Sequence, residues 1–285
     1  MKKIIILAVL FFEIFIMLYS KEVIKEFTLT INICIYALMP TMFFQILFSN
    51  ILINTNLYKY IPTRICSFFN ITKYEGSIIL LSMFSGYPNN IKLLNNSKNE
   101  YLYYTTNYVN PLFLIVTVGS IYLKNIWLSI IIFISHILSN IIMLYIFRNK
   151  YVYENYKTNK SNLYSESLKI TIKTLTIIFS NLLVISLLIT FLKLILPFKS
   201  IINSFILGLL EFSRGIYEIS FLNISIYLKG LLILIIITFG SFSIHMQMIS
   251  INNKIKYIKY LFYRLLNVLI SIIVYFIIIF IYTNV

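Results

Sequence analysis

Four short stretches place polar or ionisable side chains within sequence that is otherwise apolar. They read SGYPNNIK at 85–92, TTNYVNPLF at 105–113, GLLEFSRGI at 208–216 and FGSFSIHMQ at 239–247. In hydrocarbon, an unpaired backbone or amide group costs several kcal/mol. Such groups persist only where protein or a polar cavity supplies partners, so each stretch is a candidate binding site for a polar solute.

The first stretch combines helix-breaking residues with side chains that form hydrogen bonds. Gly86 permits a positive φ, and Pro88 removes a backbone donor and frees the carbonyl of the preceding turn. The polar side chains of this stretch belong to Ser85, Tyr87, Asn89, Asn90 and Lys92. Two interpretations remain open: a break that lines a substrate cavity, or a tight loop at the membrane surface.

The second stretch precedes an apolar helix. Asn107, Asn110 and Pro111 are compatible with a simple helix start, at which Asn110 is the cap. In the next apolar run, His136 and Asn140 lie one helical turn apart. Such a pair in a transmembrane helix is more often an interhelical hydrogen bond than a ligand site.

The third stretch carries a carboxylate in a chain that has no aspartate. Glu211 lies beside Ser213, Arg214 and Gly215 at the end of an apolar run. Ionisable groups at membrane depth usually face a protein interior, a partner or a water-filled path. The alternative is a Glu211–Arg214 pair at i, i+3 on a helix surface, worth only a few tenths of a kcal/mol.

The fourth stretch alternates small or polar residues with apolar ones: Gly240, Ser241, Ser243, His245 and Gln247. On a regular helix these positions scatter around the cylinder, whereas an extended or broken segment aligns them. The alignment favours a binding site. The alternative is close helix packing, in which Ser and Gln form hydrogen bonds between helices.

The elements that must position these residues are membrane helices. The chain is 60% hydrophobic, and its mean hydropathy of +0.89 excludes an ordinary soluble domain. Six stretches without Asp, Glu, Lys or Arg reach the length of about 20 residues that a spanning helix needs. They are 27–58, 101–123, 125–147, 175–192, 230–253 and 266–283. The first of them is too long for one simple span.

Charge indicates how these helices are oriented. The formal net charge is +15, and the basic residues lie mostly between apolar runs, notably in 148–173 and 254–264. The positive-inside rule places both segments in the cytoplasm, and this distribution argues against nucleic-acid binding. Glu13 interrupts the first apolar run, which indicates an uncleaved first helix and not a signal peptide. Cys34 and Cys66 are interpreted as apolar fillers, not as a disulfide.

We therefore expect an all-α polytopic membrane protein with about eight membrane helices, in two loosely similar and inverted halves with interrupted or re-entrant segments. An N-terminal helix and short loop (1–26) precede a first half (27–147), a basic cytoplasmic linker (148–173) and a second half (174–285). The long helices 31–53 and 174–196 correspond, as do the breaks at Gly86 and Gly240. Inverted halves with paired breaks indicate a transporter, although a chance pairing of hydrophobic stretches remains the alternative.

Several enzyme patterns are missing from the sequence: HExxH, a cysteine pair at zinc spacing, GxSxG and a P-loop. No enzyme activity, cofactor, metal or ATP hydrolysis is therefore expected. An intramembrane hydrolase that uses Glu211 and His245 is the weakest alternative, because no nucleophile is indicated.

The chain contains, in this order, the motifs YALMPTMFF, SGYPNNIK, NYVNPLFLIVTVGS, SHILSN, GLLEFSRGI and FGSFSIHMQ, followed by Arg264. In the order and spacing of these motifs it resembles the YlbJ-type (SpoVV) sporulation membrane proteins of the nucleoside-recognition (Gate) domain group. The resemblance covers roughly residues 36–270. Two positions depart from the family pattern: Asn90 stands where a glycine is usual, and a glycine pair is reduced to Gly240-Ser241.

The resemblance implies a transporter that moves dipicolinic acid, a small anionic solute, across the outer forespore membrane of a spore-forming bacterium. The partners are then this solute and the lipid bilayer. Lys92 or Arg214 would supply positive charge, and Glu211 or His245 would relay a proton. The alternatives are a nucleoside-like solute or a non-transporting scaffold for spore assembly. We expect the break at 85–90 to line a cavity opposite 239–247; the sequence sets no oligomeric state.

Overall fold

The computed structural model describes residues 2–94, 97, 99–148, 163–195 and 200–284. Its regular elements within these ranges are helices. The α-helices are α1 (Lys2–Leu18), α2 (Ser20–Ile33), α3 (Met39–Ile53), α4 (Thr63–Phe69), α5 (Lys73–Ser85), α6 (Asn89–Leu94), α7 (Tyr101–Thr105), α8 (Ile126–Ile146), α9 (Leu163–Ile195), α10 (Ile201–Leu210), α11 (Phe212–Ser220), α12 (Ile226–Phe239), α13 (Phe242–Ile251) and α14 (Tyr257–Asn284). A 3-10 turn (Leu57–Tyr60) and two π-helical segments (Cys34–Leu38 and Phe113–Tyr122) complete the set.

Among the described residues, five helices are long and apolar enough to cross a membrane. They are Ser20–Ile53, Ile126–Ile146, Leu163–Ile195, Ile226–Ile251 and Tyr257–Asn284. Three shorter apolar helices lie at Ile6–Leu18, Phe113–Tyr122 and Ile201–Leu210. The predicted class, an all-helical multi-pass membrane protein, is therefore confirmed, whereas the predicted count of about eight membrane helices is not.

The boundaries of the long helices differ from the predicted ones. The π-helical turn Cys34–Leu38 joins α2 to α3 in one helix of 34 residues, which accounts for the unusually long apolar run. Only Tyr19 separates α1 from α2. Helix α9 begins at Leu163, so the last part of the predicted linker is helical. Residues 149–162 of that linker lie outside the described part of the chain.

The long helix α2–α3 runs antiparallel to α9. Near the start of α2, Glu26 binds Lys193 at the end of α9. Near the end of α3, the Asn50 amide donates to Thr171 Oγ1 over 3.1 Å near the start of α9. The earlier residue of the long helix contacts the later residue of α9, and the later one contacts the earlier one, so the two helices are antiparallel.

Helices α8 and α14 are antiparallel in the same way. Asn267 Nδ2 donates to Asn140 Oδ1 at 3.0 Å. Seven residues further along α8, the Phe147 ring meets Tyr263, with ring centroids 4.4 Å apart. Since Tyr263 precedes Asn267 in the chain, the two helices run in opposite directions.

Helices α5 and α6 form a hairpin, here called the first hairpin. A capping box starts α5: Thr72 Oγ1 accepts from the Glu75 amide at 3.1 Å, and Glu75 Oε2 accepts from the Thr72 amide at 2.8 Å. The hairpin turns at Gly86, which ends α5 with φ +72°. After α6 the chain returns to Glu75, whose carboxylate accepts from Ser97 and Asn99. These bonds fasten the two ends of the hairpin together.

Helices α10 and α11 form the second hairpin, which turns at Glu211. Its two backbones touch, because a Cβ atom added at Gly215 would lie 2.0 Å from the Gly208 Cα. Only glycine permits this approach. Phe212 at the turn packs edge-to-face on Tyr87 of the first hairpin, with ring centroids 5.9 Å apart. The tips of the two hairpins therefore meet.

Two helices are interrupted near these tips. The first interrupted helix consists of α7, an irregular stretch at 106–110 and the π-helical segment Phe113–Tyr122. The second consists of α12 and α13, separated at Gly240, where φ is +74°. Both interruptions expose backbone groups that a regular helix would pair internally.

Candidate functional site

The turn of the first hairpin is hydrogen-bonded to the irregular stretch 106–110 of the first interrupted helix. The Tyr87 amide donates to the Tyr108 carbonyl at 2.8 Å. Asn90 Nδ2 donates to the Thr106 carbonyl at 2.7 Å and to Asn107 Oδ1 at 3.0 Å. The structure therefore joins the predicted stretches 85–92 and 105–113 into one unit.

Other predicted residues of this unit have structural roles. Gly86 lies so close to Asn110 that an added Cβ atom would be 2.8 Å from the Asn110 amide nitrogen. Asn110 Oδ1 accepts from the Phe113 amide at 3.0 Å, which is the expected cap. Its Nδ2 donates to Thr41 and Gln45 on α3. Asn89 Nδ2 donates to Ser85 Oγ at 3.1 Å, within the hairpin.

His136 links the two interrupted helices. Its Nε2 accepts from the Val109 amide at 3.1 Å, and its Nδ1 lies 3.0 Å from Thr238 Oγ1. Because a backbone amide only donates, Nε2 is the unprotonated nitrogen and Nδ1 carries the hydrogen. These bonds, with that between Asn140 and Asn267, agree with the interpretation of His136 and Asn140 as interhelical hydrogen-bonding residues.

Arg264 on α14 is the largest fully buried side chain in the described part of the molecule, at 1% exposure. Its Nη2 donates to the Tyr104 carbonyl at 2.7 Å, and its Nη1 donates to the Thr238 carbonyl at 3.3 Å. Among the described residues no carboxylate forms an ion pair with it, and its Nε has no hydrogen-bond partner. Arg264 is therefore a buried cation held by two neutral carbonyls.

Three buried tyrosines, Tyr87, Tyr108 and Tyr260, lie within electrostatic reach of this cation. Their hydroxyl groups have no hydrogen-bond partner within the described ranges. The guanidinium carbon is 5.7 Å from the Tyr260 ring centroid. We call these four residues the Arg264 cluster. Buried hydroxyls are usually bonded to protein or to ordered water, so these three hydroxyls and the Arg264 Nε–H are available to a polar ligand.

Of the fourth predicted stretch, mainly His245 contacts the Arg264 cluster. Its ring packs edge-to-face on Tyr260, with centroids 4.9 Å apart. Nε2 lies 3.0 Å from the Phe239 carbonyl, whereas Nδ1 has no described partner. Ser241 and Ser243 hydroxyls bond each other at 2.9 Å, and Gln247 Nε2 is unpartnered among the described atoms. The stretch is helical from Phe242, so the extended geometry is limited to the break itself.

Glu211 and Arg214 face the protein interior, at 3% and 6% exposure, and do not form the helix-surface pair that is the alternative. Glu211 caps α11: its carboxylate accepts from the Ser213 amide and hydroxyl and from the Arg214 amide, at 2.6–3.0 Å. Arg214 Nη2 instead binds Glu218 at 2.7 Å and Glu26 at 3.4 Å. Lys193 binds the same two carboxylates. This ion cluster of Glu26, Lys193, Arg214 and Glu218 balances two cations with two anions.

Lys92 does not join the Arg264 cluster. Its Nζ donates to the Ile170 carbonyl and to Thr174 Oγ1, both at 2.9 Å, near the start of α9. It therefore fastens α6 to α9 and lies in a different contact region from Arg264.

The sequence did not single out Arg264, Tyr108 or Tyr260 as site residues. Arg264 closes the basic run 254–264, which the positive-inside rule assigns to the membrane face. One signal does mark it: Tyr260 and Arg264 are spaced i, i+4 directly before the charge-free run 266–283, so they share a helix face that enters the apolar region.

No protein-family model, curated protein or solved structure matches this chain.

Proposed function

We propose that this chain is a membrane transporter for a small organic anion and that the anion binds at the Arg264 cluster. The observation that carries the proposal is a buried guanidinium that lacks a carboxylate partner among the described residues and has three tyrosines with unpartnered hydroxyls within its electrostatic reach. An uncompensated buried charge is strongly unfavourable. An anionic ligand removes that cost, and a neutral one does not.

The chemistry of the cluster favours a carboxylate. A guanidinium presents several N–H donors in a rigid planar fork. Two nitrogen atoms already donate to carbonyls, but Nε–H remains, together with second hydrogens on both Nη atoms. A carboxylate accepts two such bonds side by side. The hydroxyls of Tyr87, Tyr108 and Tyr260 can donate to further oxygens of a dicarboxylate, and dipicolinate, which the family resemblance implies, has this chemistry.

The arrangement of the two halves supports alternating access. Each half contains, in the same order, a long helix, a hairpin, an interrupted helix and a closing helix: α2–α3, first hairpin, first interrupted helix and α8, then α9, second hairpin, second interrupted helix and α14. In the first half, the 3-10 turn and α4 lie between the long helix and the hairpin. The two long helices are antiparallel, as are the two closing helices. We infer inverted repeats, in which the two hairpins correspond to each other, with the site where their tips and the interrupted helices meet.

The alternatives are a nucleoside-like solute and a scaffold of the spore membrane. A nucleoside offers hydroxyls and ring nitrogens but no negative charge, and it leaves Arg264 uncompensated. A scaffold gives no reason for buried donors without partners. The sporulation role and the outer forespore membrane are part of the proposal through the family resemblance.

Uptake into proteoliposomes tests the proposal. Purified protein is reconstituted, and labelled pyridine-2,6-dicarboxylate is offered outside, with protein-free vesicles as the control. We expect uptake that excess unlabelled dicarboxylate blocks and that pyridine-2,6-dicarboxamide, the neutral analogue of similar shape, does not. If a nucleoside blocked uptake and unlabelled dicarboxylate did not, the substrate would be a nucleoside-like solute and not an organic anion.

Spore dipicolinic acid content separates the transporter from the scaffold. A strain without the protein is complemented with wild type or with Arg264→Gln at equal membrane abundance. We expect only the wild type to restore the acid. Equal restoration by the Arg264→Gln variant would contradict a transport role for this residue and favour the scaffold.

A further inference from the structure

A partly open apolar groove lies away from the Arg264 cluster, between α5, α8 and the segment that includes α4. Its volume is about 380 Å³. The side chains that line it include Ile65, Phe69, Ile79, Leu80, Met83 and Leu144. Leu80 is 41% exposed, so the groove is accessible from the outside of the molecule. Its shape and lining suit a hydrocarbon chain.

Basic residues lie next to residues that line this groove. Tyr60 and Pro62 are part of the lining; Lys59, one residue before Tyr60, and Arg64, two residues after Pro62, are exposed. Arg148 follows the groove residue Leu144 by one helical turn, and its Nη1 donates to the Phe68 carbonyl at 2.7 Å, next to Phe69. Three exposed cations are therefore neighbours, in the chain or through a hydrogen bond, of residues at the groove.

The described chain segments that carry these cations hold no exposed carboxylate. Within 54–85 and 141–148 the sequence contains one acidic residue, Glu75. Glu75 is 1% exposed, and its carboxylate is occupied by Thr72, Ser97 and Asn99. The charge beside the groove is therefore complementary to an anion at the surface.

We propose that the groove binds an anionic phospholipid, with an acyl chain along the apolar wall and the phosphate beside Lys59, Arg64 and Arg148. Each buried methylene of the chain favours binding, and basic residues at the cytoplasmic surface attract anionic headgroups. The site adjoins Arg148, the start of the basic segment 148–173, so the positive-inside rule places it at the cytoplasmic leaflet, where anionic lipids are attracted. This proposal is independent of transport at Arg264.

Quenching by brominated lipids tests the site. Trp127 is the only tryptophan and lies outside the groove lining, so Trp127→Phe with Phe69→Trp gives a single reporter in the groove. The protein is reconstituted with phosphatidylglycerol or phosphatidylcholine brominated in the acyl chains. We expect half-maximal quenching at a mole fraction of phosphatidylglycerol about tenfold lower than that of phosphatidylcholine.

Two charge variants decide whether the cations beside the groove cause this preference. Lys59→Gln with Arg64→Gln should bring the two lipids to nearly equal quenching. Lys254→Gln with Lys256→Gln removes two exposed charges from the other basic segment, and it should keep the preference. Equal quenching in the reporter protein, or the same loss of preference in both charge variants, would overturn the site and leave only a general surface charge effect.

Discussion

Arg214 and Arg264 are both buried, at 6% and 1% exposure, yet their surroundings are opposite. Arg214 binds the carboxylates of Glu218 and Glu26 inside a balanced ion cluster. Arg264 binds two carbonyls and, in the described part of the chain, no carboxylate. The difference teaches that burial of a charge alone does not mark a site. A charge whose counter-ion is part of the protein stabilises the fold, whereas one without a counter-ion is available to a ligand.

The largest expected effect is on the Arg214 side of this comparison. Arg214→Met leaves the buried Glu26 and the partly exposed Glu218 with Lys193 alone. Removing one partner of a buried pair costs about 3–5 kcal/mol, and the 28% exposure of the Glu218 side chain lowers that cost here. We expect a clearly lower melting temperature in detergent. Arg64→Met, which removes an exposed arginine from α4, is the control and should melt within a degree or two of wild type, since surface charges contribute little. An unchanged melting temperature for Arg214→Met would show that the ion cluster does not stabilise the fold.

On the Arg264 side the effect should fall on binding and not on stability. Arg264→Gln removes an unpaired buried charge together with two hydrogen bonds, so the two effects offset each other within about 1 kcal/mol. Loss of a charged partner should weaken dicarboxylate binding about 100-fold. Arg264→Lys keeps the charge without the planar fork, and an intermediate loss of about tenfold is expected. Titration calorimetry gives the affinities, and thermal unfolding gives the stabilities.

Gly215 tests whether the second hairpin, which carries Arg214, is a rigid structural unit. In Gly215→Ala the new methyl would lie 2.0 Å from the Gly208 Cα, so the backbones must separate. Such overpacking costs about 1–3 kcal/mol. The matched control is Gly76→Ala, whose new methyl would lie 3.0 Å from the Ile61 side chain, which can shift. Equal melting temperatures for the two variants would show that the hairpin tolerates separation.

Tyrosine-to-phenylalanine variants of the Arg264 cluster should give the smallest effects, and these effects should fall on binding alone. Tyr87→Phe, Tyr108→Phe and Tyr260→Phe each remove a hydroxyl that has no partner among the described atoms. We expect unchanged stability and about three- to tenfold weaker dicarboxylate binding, the effect of one hydrogen bond.

The control for this series is Tyr103→Phe. The Tyr103 hydroxyl donates to the Leu94 and Ser97 carbonyls at 3.1 and 3.0 Å. Its removal should lower stability by about 1 kcal/mol and leave binding unchanged. If Tyr87→Phe behaved like Tyr103→Phe, the hydroxyl of Tyr87 would have a structural partner and not a ligand.

Much of the fold could be predicted from the sequence, because apolar runs and helix-breaking residues act locally. The charge-free runs foretell the long helices, and Gly86 and Gly240 do end helices with positive φ. The hairpins were harder to predict: Glu211, not Gly240, forms the turn that meets Tyr87 through Phe212. That contact joins residues more than a hundred positions apart, and local pattern contains no information about it.

The site residues show the same limit. Glu211 and Arg214 stood out because they are neighbours in the sequence, but the partners of Arg214 include Glu26, from another helix. The positive-inside rule places Arg264 at the basic membrane face, because it counts the charges in a segment and does not resolve which one turns inward. Only the packing of α7, α12 and α14 shows that its guanidinium is buried between two carbonyls.

The most direct test of the central claim is the dissociation constant of pyridine-2,6-dicarboxylate for purified wild type and Arg264→Gln, measured by titration calorimetry on samples with equal melting temperatures. The account predicts binding by the wild type and about 100-fold weaker binding by the variant. The same dissociation constant for both proteins would contradict it, because the anion would then bind without the one buried cation that its charge is proposed to neutralise.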